Sequence, residues 1–187
     1  MIALSSLWLP ILLSTVFVFL LSSVIHMAPL WHKKDYPRLA NEDAVRAALG
    51  PLALPPGDYM IPRPASHAEM RTPAFLEKMK AGPIVMMTVM PNGPMTMGKS
   101  LAQWFIFSAV IGLVSACVAG CALPAGADPH RIFHLTALTA FSGYAFALWE
   151  MSIWYKRAWS MTIKSTLDGL VYALATGATF MWLWPKG

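Results

Sequence analysis

Three ionisable side chains lie in or beside long apolar segments of this chain, at depths that correspond to one another. His26 ends the first apolar segment, Glu150 lies near the end of the third, and Asp168 lies near the start of the fourth. Because an ionisable group inside a membrane is costly, such residues usually face the interior of a helix bundle and pair there. A carboxyl group that burial makes harder to ionise can exchange protons near neutral pH. His26, Glu150 and Asp168 are therefore candidates for a proton or ion site.

A structural role is also open to the same carboxylates. Lys164 lies four residues before Asp168, so the two side chains share one face of a helix and can neutralise each other. Glu150 is followed closely by Lys156 and Arg157. The sequence favours ion pairing for these acidic residues, with the ion site as the alternative.

A second set of residues combines sulfur and imidazole in the pattern C-x3-C-x8-H-x3-H, formed by Cys117, Cys121, His130 and His134. Such ligands can hold zinc or a soft copper ion, and a histidine here could instead be an axial ligand to haem. The spacing between the two pairs is shorter than in zinc fingers, and cysteine in a membrane helix usually serves as a small packing residue. We therefore expect no cofactor, with a metal ion or haem as the weaker alternative.

Five methionines lie close together near the middle of the chain: Met86, Met87, Met90, Met95 and Met97. Thioethers bind Cu(I), but flexible apolar methionines also suit adaptable contacts between proteins. The apolar run 84–90 is too short to cross a bilayer, and its composition predicts a strand or an interfacial segment. We interpret Met86, Met87 and Met90 as residues of an interface.

Residues 93–100 match the phosphate-loop pattern G-x-x-x-x-G-K-S. A phosphate loop binds a nucleotide when it follows a strand and precedes a helix of a soluble α/β domain. The helix that follows here is predicted to lie in the membrane instead. The patterns H-E-x-x-H, G-x-S-x-G and C-x-x-C-H do not occur in the sequence. We therefore predict that the protein is not an enzyme.

The composition indicates the elements that must position these residues. Hydrophobic residues make up 57% of the 187 and charged residues only 12%, against about 25% charged in typical soluble domains. Part of such a chain must be solvated by a lipid bilayer, whose core of about 30 Å takes roughly 20 helical residues to cross. Four segments meet that requirement: 4–26, 101–123, 132–154 and 162–184.

Basic residues are distributed unevenly between the two ends of these segments. Of the 14 lysines and arginines, all but Arg131 and Lys186 fall in 33–99 or 156–164. The positive-inside rule then predicts that both termini lie outside and that residues 28–98 are cytoplasmic. The net charge of +5 is accounted for by this orientation, so nucleic acid is not predicted as a partner.

The long segment between the first two spans carries its own helix signals. Asn41 is placed to cap a helix that ends at Gly50 and Pro51, and Thr72 is placed to cap another that ends at Gly82 and Pro83. At about 70 residues with many prolines, the segment has a marginal core of its own. We expect it to pack on the membrane, on the bundle or on a partner.

Together these features predict an all-α integral membrane protein, a four-transmembrane-helix bundle with a small cytoplasmic insertion. The first span lies in 1–27, the insertion with two short helices and a methionine-rich strand-like segment in 28–98, and the other spans in 99–187. The expected function is that of an accessory, assembly or scaffold subunit of a bacterial inner-membrane complex, with a membrane protein partner, or of a homo-oligomer. A small proton- or ion-coupled transporter or channel is the alternative, and a metal- or haem-handling membrane protein is a further one.

The predicted orientation can be tested with a cysteine at Ser66 in a protein that lacks Cys117 and Cys121. Because residues 28–98 are predicted to be cytoplasmic, this cysteine should resist a membrane-impermeant thiol reagent in intact cells and react once detergent opens the membrane. Ready labelling of intact cells would reverse the orientation. It would also place the methionine run in an oxidising compartment, where thioether copper sites are used.

Overall fold

The computed structural model describes residues 2–27 and 31–186. It is mostly helical, with 66% helix and 5% strand, and it divides into two compact units, one of Met1–Pro37 with Thr96–Gly187 and one of Arg38–Met95. The elements in chain order are α1 (Trp8–Met27), α2 (Glu42–Leu49), β1 (Gly57–Ile61), α3 (Pro73–Ala81), β2 (Val85–Val89), α4 (Gly98–Ala122), α5 (Pro129–Phe141), α6 (Leu148–Ile153) and α7 (Trp159–Leu183).

Three helical stretches of the first unit are long and apolar enough to cross a membrane: Leu4–Met27, Gly98–Ala122 and Pro129–Ile153. The sequence predicts that the third begins at residue 132, whereas in the structure it begins at Pro129. Pro129 lies in the first turn of α5. A backbone N–H at that position has no partner within the helix, so proline, which lacks the N–H, is tolerated there. The Asp128 carboxylate accepts a hydrogen bond from the backbone N–H of Arg131 at 3.1 Å and so caps the helix.

The third stretch is not one regular helix. Between α5 and α6 the chain makes a π-helical turn at Ser142–Phe146. At Gly143 the backbone comes so close to α4 that an added Cβ would lie 2.3 Å from Cδ1 of Ile111. The neighbouring Tyr144 is buried in the core between the helices.

The last helix, α7, has the same 25 residues as α4 but a more polar composition, and it is not among the three apolar stretches. Its polar side chains are turned inward, since Thr162, Asp168 and Thr176 are buried. The Thr176 hydroxyl donates to the carbonyl of Tyr172 one turn back, which satisfies it without a partner from another helix. The exposed side of α7 is apolar: Ile163, Leu167, Leu170, Val171 and Leu174.

Backbone hydrogen bonds show which ends of the helices lie together. The N–H of Ile2 donates to the carbonyl of Gly120 at 2.9 Å, and the N–H of Gly126 donates to the carbonyl of Pro185 at 2.9 Å. The start of the chain, the α4–α5 turn and the end of α7 therefore share one end of the bundle. We call the opposite end, where α1 and α6 finish and α4 and α7 begin, the loop end.

The core of the bundle consists of two clusters. One, near the termini, joins Leu7, which directly precedes α1, to residues in or directly after α4, α5 and α7: Ala116, Ala119, Leu123, Ile132, Phe180 and Trp184. The other, toward the loop end, contains Val18, Ile111, Ala140, Tyr144, Tyr172 and Ala173. Small residues bring the helices close, as is usual where lipid replaces water around a bundle.

The second unit, 38–95, contains a two-stranded antiparallel sheet in which Tyr59 faces Met87 and Met60 faces Met86. The apolar run 84–90, for which the sequence predicted a strand or an interfacial segment, contains β2. Thr72 caps α3 as predicted, accepting a hydrogen bond from the N–H of Phe75 at 3.3 Å. Asn41 does precede α2, but its side chain makes no capping bond, so that part of the prediction is wrong.

The contact between α5 and α7 yields a test of the packing. A Cβ at Gly177 would lie 2.8 Å from the Cβ of Ala137 and 3.0 Å from the ring of Phe133. Gly177→Ala should therefore lower the free energy of unfolding by about 1–3 kcal/mol, measured by denaturant titration of the protein in detergent micelles. Gly98→Ala is the control, because nothing lies within 4 Å of its added methyl group. Equal stability of the two variants would contradict the close packing of α5 against α7.

Candidate functional site

The loop end of the bundle carries a connected set of polar side chains around Asp168. Its carboxylate accepts a hydrogen bond from Nε1 of Trp31 at 2.9 Å, and its second oxygen lies 3.1 Å from Nε2 of His32. The Asp168 side chain is 7% exposed, so these bonds replace the water that a carboxylate needs. Both partners come from the chain segment that follows α1, more than 130 residues earlier.

Lys164 and Asp35 complete this set. The Lys164 ammonium donates to the Asp35 carboxylate at 2.5 Å and to the carbonyl oxygen of Trp31 at 2.7 Å. Asp35 also accepts from Nδ1 of His32 at 2.7 Å. We call Trp31, His32, Asp35, Lys164 and Asp168 the Asp168 network.

Local folding explains why these residues meet. Lys164 and Asp168 lie four residues apart on α7, so both side chains leave the same face of the helix. A short turn, in which the N–H of Asp35 donates to the carbonyl of His32 at 3.0 Å, brings His32 and Asp35 together. The sequence predicted that Lys164 would neutralise Asp168. That pairing is wrong, since Lys164 pairs with Asp35 and Asp168 is bound by Trp31 and His32.

His32 is held between two carboxylates. Nδ1 faces Asp35 and Nε2 faces Asp168, and an ionised carboxylate only accepts hydrogen bonds. With a neutral imidazole the network would carry two negative charges and only one positive charge, that of Lys164. A proton on the second ring nitrogen, or another cation placed there, would balance the charges.

His26, in the last turn of α1, extends the site. Its Nδ1 donates to the carbonyl of Ser22 at 2.9 Å, and its ring stacks on that of His32 with the centroids 4.6 Å apart and the planes 12° from parallel. One donor atom from each of His26, His32 and Asp168 lies within 4.8 Å of the other two. This is the one group of three potential metal ligands found among residues 2–27 and 31–186.

Aromatic residues lie beneath the network, inside the bundle. The rings of Trp104, Tyr144 and Tyr172 pack against one another with centroids 5.5–6.0 Å apart. Nε1 of Trp104 donates to the hydroxyl of Ser22 at 2.8 Å, which joins α4 to α1 close to His26. These contacts hold the last turn of α1 in place, and this turn determines the position of His26.

Electrostatics around Asp35 favour its charged form. The hydrogen bond from Lys164, followed by that from His32, lowers the pKa of Asp35 below its ordinary value of 3.8. Burial opposes this shift, because it disfavours the charged carboxylate, but the hydrogen bonds outweigh it. The charge on Asp35 is therefore part of the native network.

The predicted ion-site residues have different positions in the structure. His26 and Asp168 are brought together, as their similar depth indicated, whereas Glu150 is exposed and takes no part in the group. No basic side chain pairs with Glu150 within the described part of the chain, so its expected ion pair with Lys156 or Arg157 is not formed. Sequence reasoning missed His32 and its neighbours. Their signal was the pattern Trp31-His32-x-x-Asp35 directly after an apolar segment.

The outer cysteine and histidine residues do not form a site in this structure. Cys117 and Cys121 are free and exposed, and His130 and His134 are exposed as well. None of the four belongs to the potential ligand group found in the described residues. They face outward on α4 and α5, where cysteine and histidine contact the surroundings instead of one another.

Comparisons of the chain with family models, curated proteins and solved structures found no match. At the loop end the arrangement can exchange a proton or hold a cation.

The methionines predicted to form an interface differ in exposure. In 38–95, Met86 and Met90 are exposed and Met87 is half-buried.

Removing the charge of Asp168 tests the network. Asp168→Asn should lower the free energy of unfolding by about 1–3 kcal/mol, because a buried hydrogen-bonded charge contributes that much. Glu150→Gln, which removes an exposed carboxylate of the same bundle, should change it by less than about 0.5 kcal/mol. Thermal unfolding in detergent would measure both. Similar losses in the two variants would mean that the network does not stabilise the bundle.

Acid should weaken the same network through Asp35. Because its pKa is lowered in the folded protein, its contribution to stability is complete above the ordinary pKa and is lost as the pH falls through the folded value. Wild-type protein should therefore lose more stability than Asp35→Asn when the pH falls from about 6 to about 3. The exposed Asp43 provides the control, since Asp43→Asn should follow the wild-type profile. Parallel pH profiles for wild type and Asp35→Asn would exclude Asp35 as a stabilising group.

Proposed function

We propose that this chain is a non-enzymatic accessory, assembly or scaffold subunit of a membrane complex, whose unit 38–95 binds a partner protein. The observation that carries the proposal is the thin core of that unit. Phe75 is the one buried side chain in residues 38–95, all of which the structure describes. A unit that buries so little apolar surface gains little stability by itself and needs another surface to cover it.

One face of the sheet of this unit carries three exposed methionines, with the hydrogen-bonded pair of Asp58 and Thr88 between them. Met60 and Met86 are cross-strand partners and both are exposed, and Met90 follows two positions beyond Thr88 on the same face. We call Met60, Met86 and Met90 the methionine face. Flexible thioether side chains adapt to varied partner surfaces, and exposed apolar patches of this kind mark interfaces. The opposite face, with Tyr59 and Met87, is half-buried within the unit.

The proposal includes α7 as a fourth membrane span. Its 25 residues match the length of α4, and its polar side chains lie inside the bundle while apolar ones face out. A lipid-exposed surface of leucine, isoleucine and valine suits the hydrocarbon core, and buried threonines bond within their own helix. An even number of spans agrees with the shared location of the two chain ends.

The proposed orientation follows from charge. Lysines and arginines are concentrated at the loop end and in 38–95, and basic residues are retained on the cytoplasmic side. We therefore propose a bacterial inner-membrane protein with both termini outside and residues 28–98 in the cytoplasm. The partner would be reached from the cytoplasmic side.

A second candidate function is a small proton- or ion-coupled transporter. The observation that favours it is the presence of two buried hydroxyls, those of Ser115 and Tyr172, which have no hydrogen-bond partner among the described residues. Tyr172 lies one turn beyond Asp168 on α7, so polar groups continue from the network into the bundle. Proton flux in proteoliposomes that Asp168→Asn abolishes, at unchanged protein incorporation, would support this function over the first.

Replacement of Met60, Met86 and Met90 by serine should weaken the proposed assembly. The four helices hold the protein in the membrane, so its abundance there should be unchanged while a higher-mass species is lost. Native mass spectrometry and crosslinking in membranes would measure this, and they would also distinguish a homo-oligomer from a different partner. Met70→Ser is the control, because Met70 is exposed in the same unit but lies outside the sheet. Unchanged assembly in the triple variant would count against the methionine face as the interface.

A further inference from the structure

We propose that His26, His32 and Asp168 form a binding site for a divalent first-row transition metal ion. The three side chains offer two imidazole nitrogens and one carboxylate oxygen, all within 4.8 Å of one another. They come from the end of α1, the segment after it and α7, so the site exists only in the folded bundle. Two histidines and one carboxylate are a ligand set that iron, zinc, cobalt and nickel accept.

Each proposed ligand is oriented by a second hydrogen bond. Nδ1 of His32 donates to Asp35 at 2.7 Å, and Nδ1 of His26 donates to the carbonyl of Ser22 at 2.9 Å. In both rings this leaves Nε2 as the nitrogen with a free lone pair when the imidazole is neutral. Metal-binding histidines are commonly held in this way by a carboxylate or a backbone carbonyl.

The carboxylate is oriented in the same manner. Nε1 of Trp31 donates to Oδ1 of Asp168 at 2.9 Å, and Oδ2 is the oxygen that faces His32. All three side chains therefore have one polar atom occupied by a partner outside the group. Structural ion pairing alone does not require the stacked His26, which makes no hydrogen bond to the Asp168 network.

Charge gives a further reason for a cation at this place. A lone pair on Nε2 of His32 and an ionised Oδ2 of Asp168 would repel each other across the 3.1 Å that separates them. With neutral histidines, Asp35 and Asp168 outweigh Lys164 by one negative charge. A divalent ion between the ligands removes the repulsion and takes the place of the proton that would otherwise bridge them.

The ligand atoms also indicate which ions bind. Nitrogen ligands favour transition metals, whereas Mg²⁺ and Ca²⁺ are bound by oxygen. Metal–nitrogen bonds of about 2.0–2.1 Å require the ligand atoms to draw closer than they are now. His26 can make this movement because its side chain lies at the exposed edge of the site, and its ring would turn off the face of His32. Zn²⁺ and Co²⁺ should therefore bind, and Mg²⁺ should not.

The experiment uses the full chain in detergent micelles, purified by a tag without histidine and stripped with a chelator. Zn²⁺ binding is measured by calorimetry, and Co²⁺ binding by its visible d–d absorption. We expect one equivalent of either ion in wild type. His26→Ala should lower the affinity at least tenfold without loss of stability, since His26 lies outside the Asp168 network. His134→Ala, which removes an exposed histidine of α5, should bind like wild type.

Two further variants separate ligands from structure. Asp35→Asn keeps all three ligands but weakens the orientation of His32, and should lower affinity about 10–100-fold. Cys117→Ser with Cys121→Ser should leave binding unchanged. Absence of stoichiometric Zn²⁺ and Co²⁺ binding in wild type, or full binding by His26→Ala, would overturn the proposed site. Neither result bears on the methionine face, whose test is the mass of the assembly.

Discussion

The structure of the bundle depends on the burial of one carboxylate. Asp168 is the one charged residue that is buried among residues 2–27 and 31–186, and a buried charge is tolerated only when its hydrogen bonds are supplied by the protein. Its partners, Trp31 and His32, lie at the opposite end of the sequence. Folding therefore has to bring the segment after α1 across the first turns of α7. Once it is there, Asp35 reaches Lys164, and four hydrogen bonds made by side chains join the segment after α1 to α7.

The two units of the chain are stabilised by different means. The helical unit combines small-residue contacts, aromatic packing around Tyr144 and Tyr172, and the Asp168 network. The unit 38–95 has a two-stranded antiparallel sheet, two short helices and the single buried Phe75. Regions with few buried apolar contacts open locally at low cost in free energy. Because this unit buries few apolar side chains, it gains little stability by itself. For the same reason, its apolar side chains remain available for contact with another protein.

The sequence predicted the helices well because apolar length and helix-end residues are local signals. The three apolar stretches, the cap at Thr72 and the strand after Gly82–Pro83 follow from neighbouring residues alone. Depth was also predictable, since counting residues from the helix ends placed His26 and Asp168 at one level. The partners of Asp168 were not predictable, because they depend on how a segment outside the spans folds back over α7. The spacing of four residues predicted that Lys164 pairs with Asp168. In the structure Lys164 pairs instead with Asp35, which is distant in the sequence.

The π-helical turn at Ser142–Phe146 changes the register of everything that follows it. A π turn is equivalent to one residue inserted into an α-helix, so it rotates the remainder of the helix by about 100°. In an uninterrupted helix, the inward positions Ala137, Ala140 and Tyr144 would be continued by Met151. In the structure Met151 is exposed, and Ser152 is buried with its hydroxyl 2.7 Å from that of Thr162. The extra residue thus places the Ser152 hydroxyl, instead of the Met151 thioether, against the start of α7, a few residues before Lys164. A shortening of this turn by one residue during evolution would separate α6 from α7 and remove the support on which the position of Lys164 and Asp168 rests.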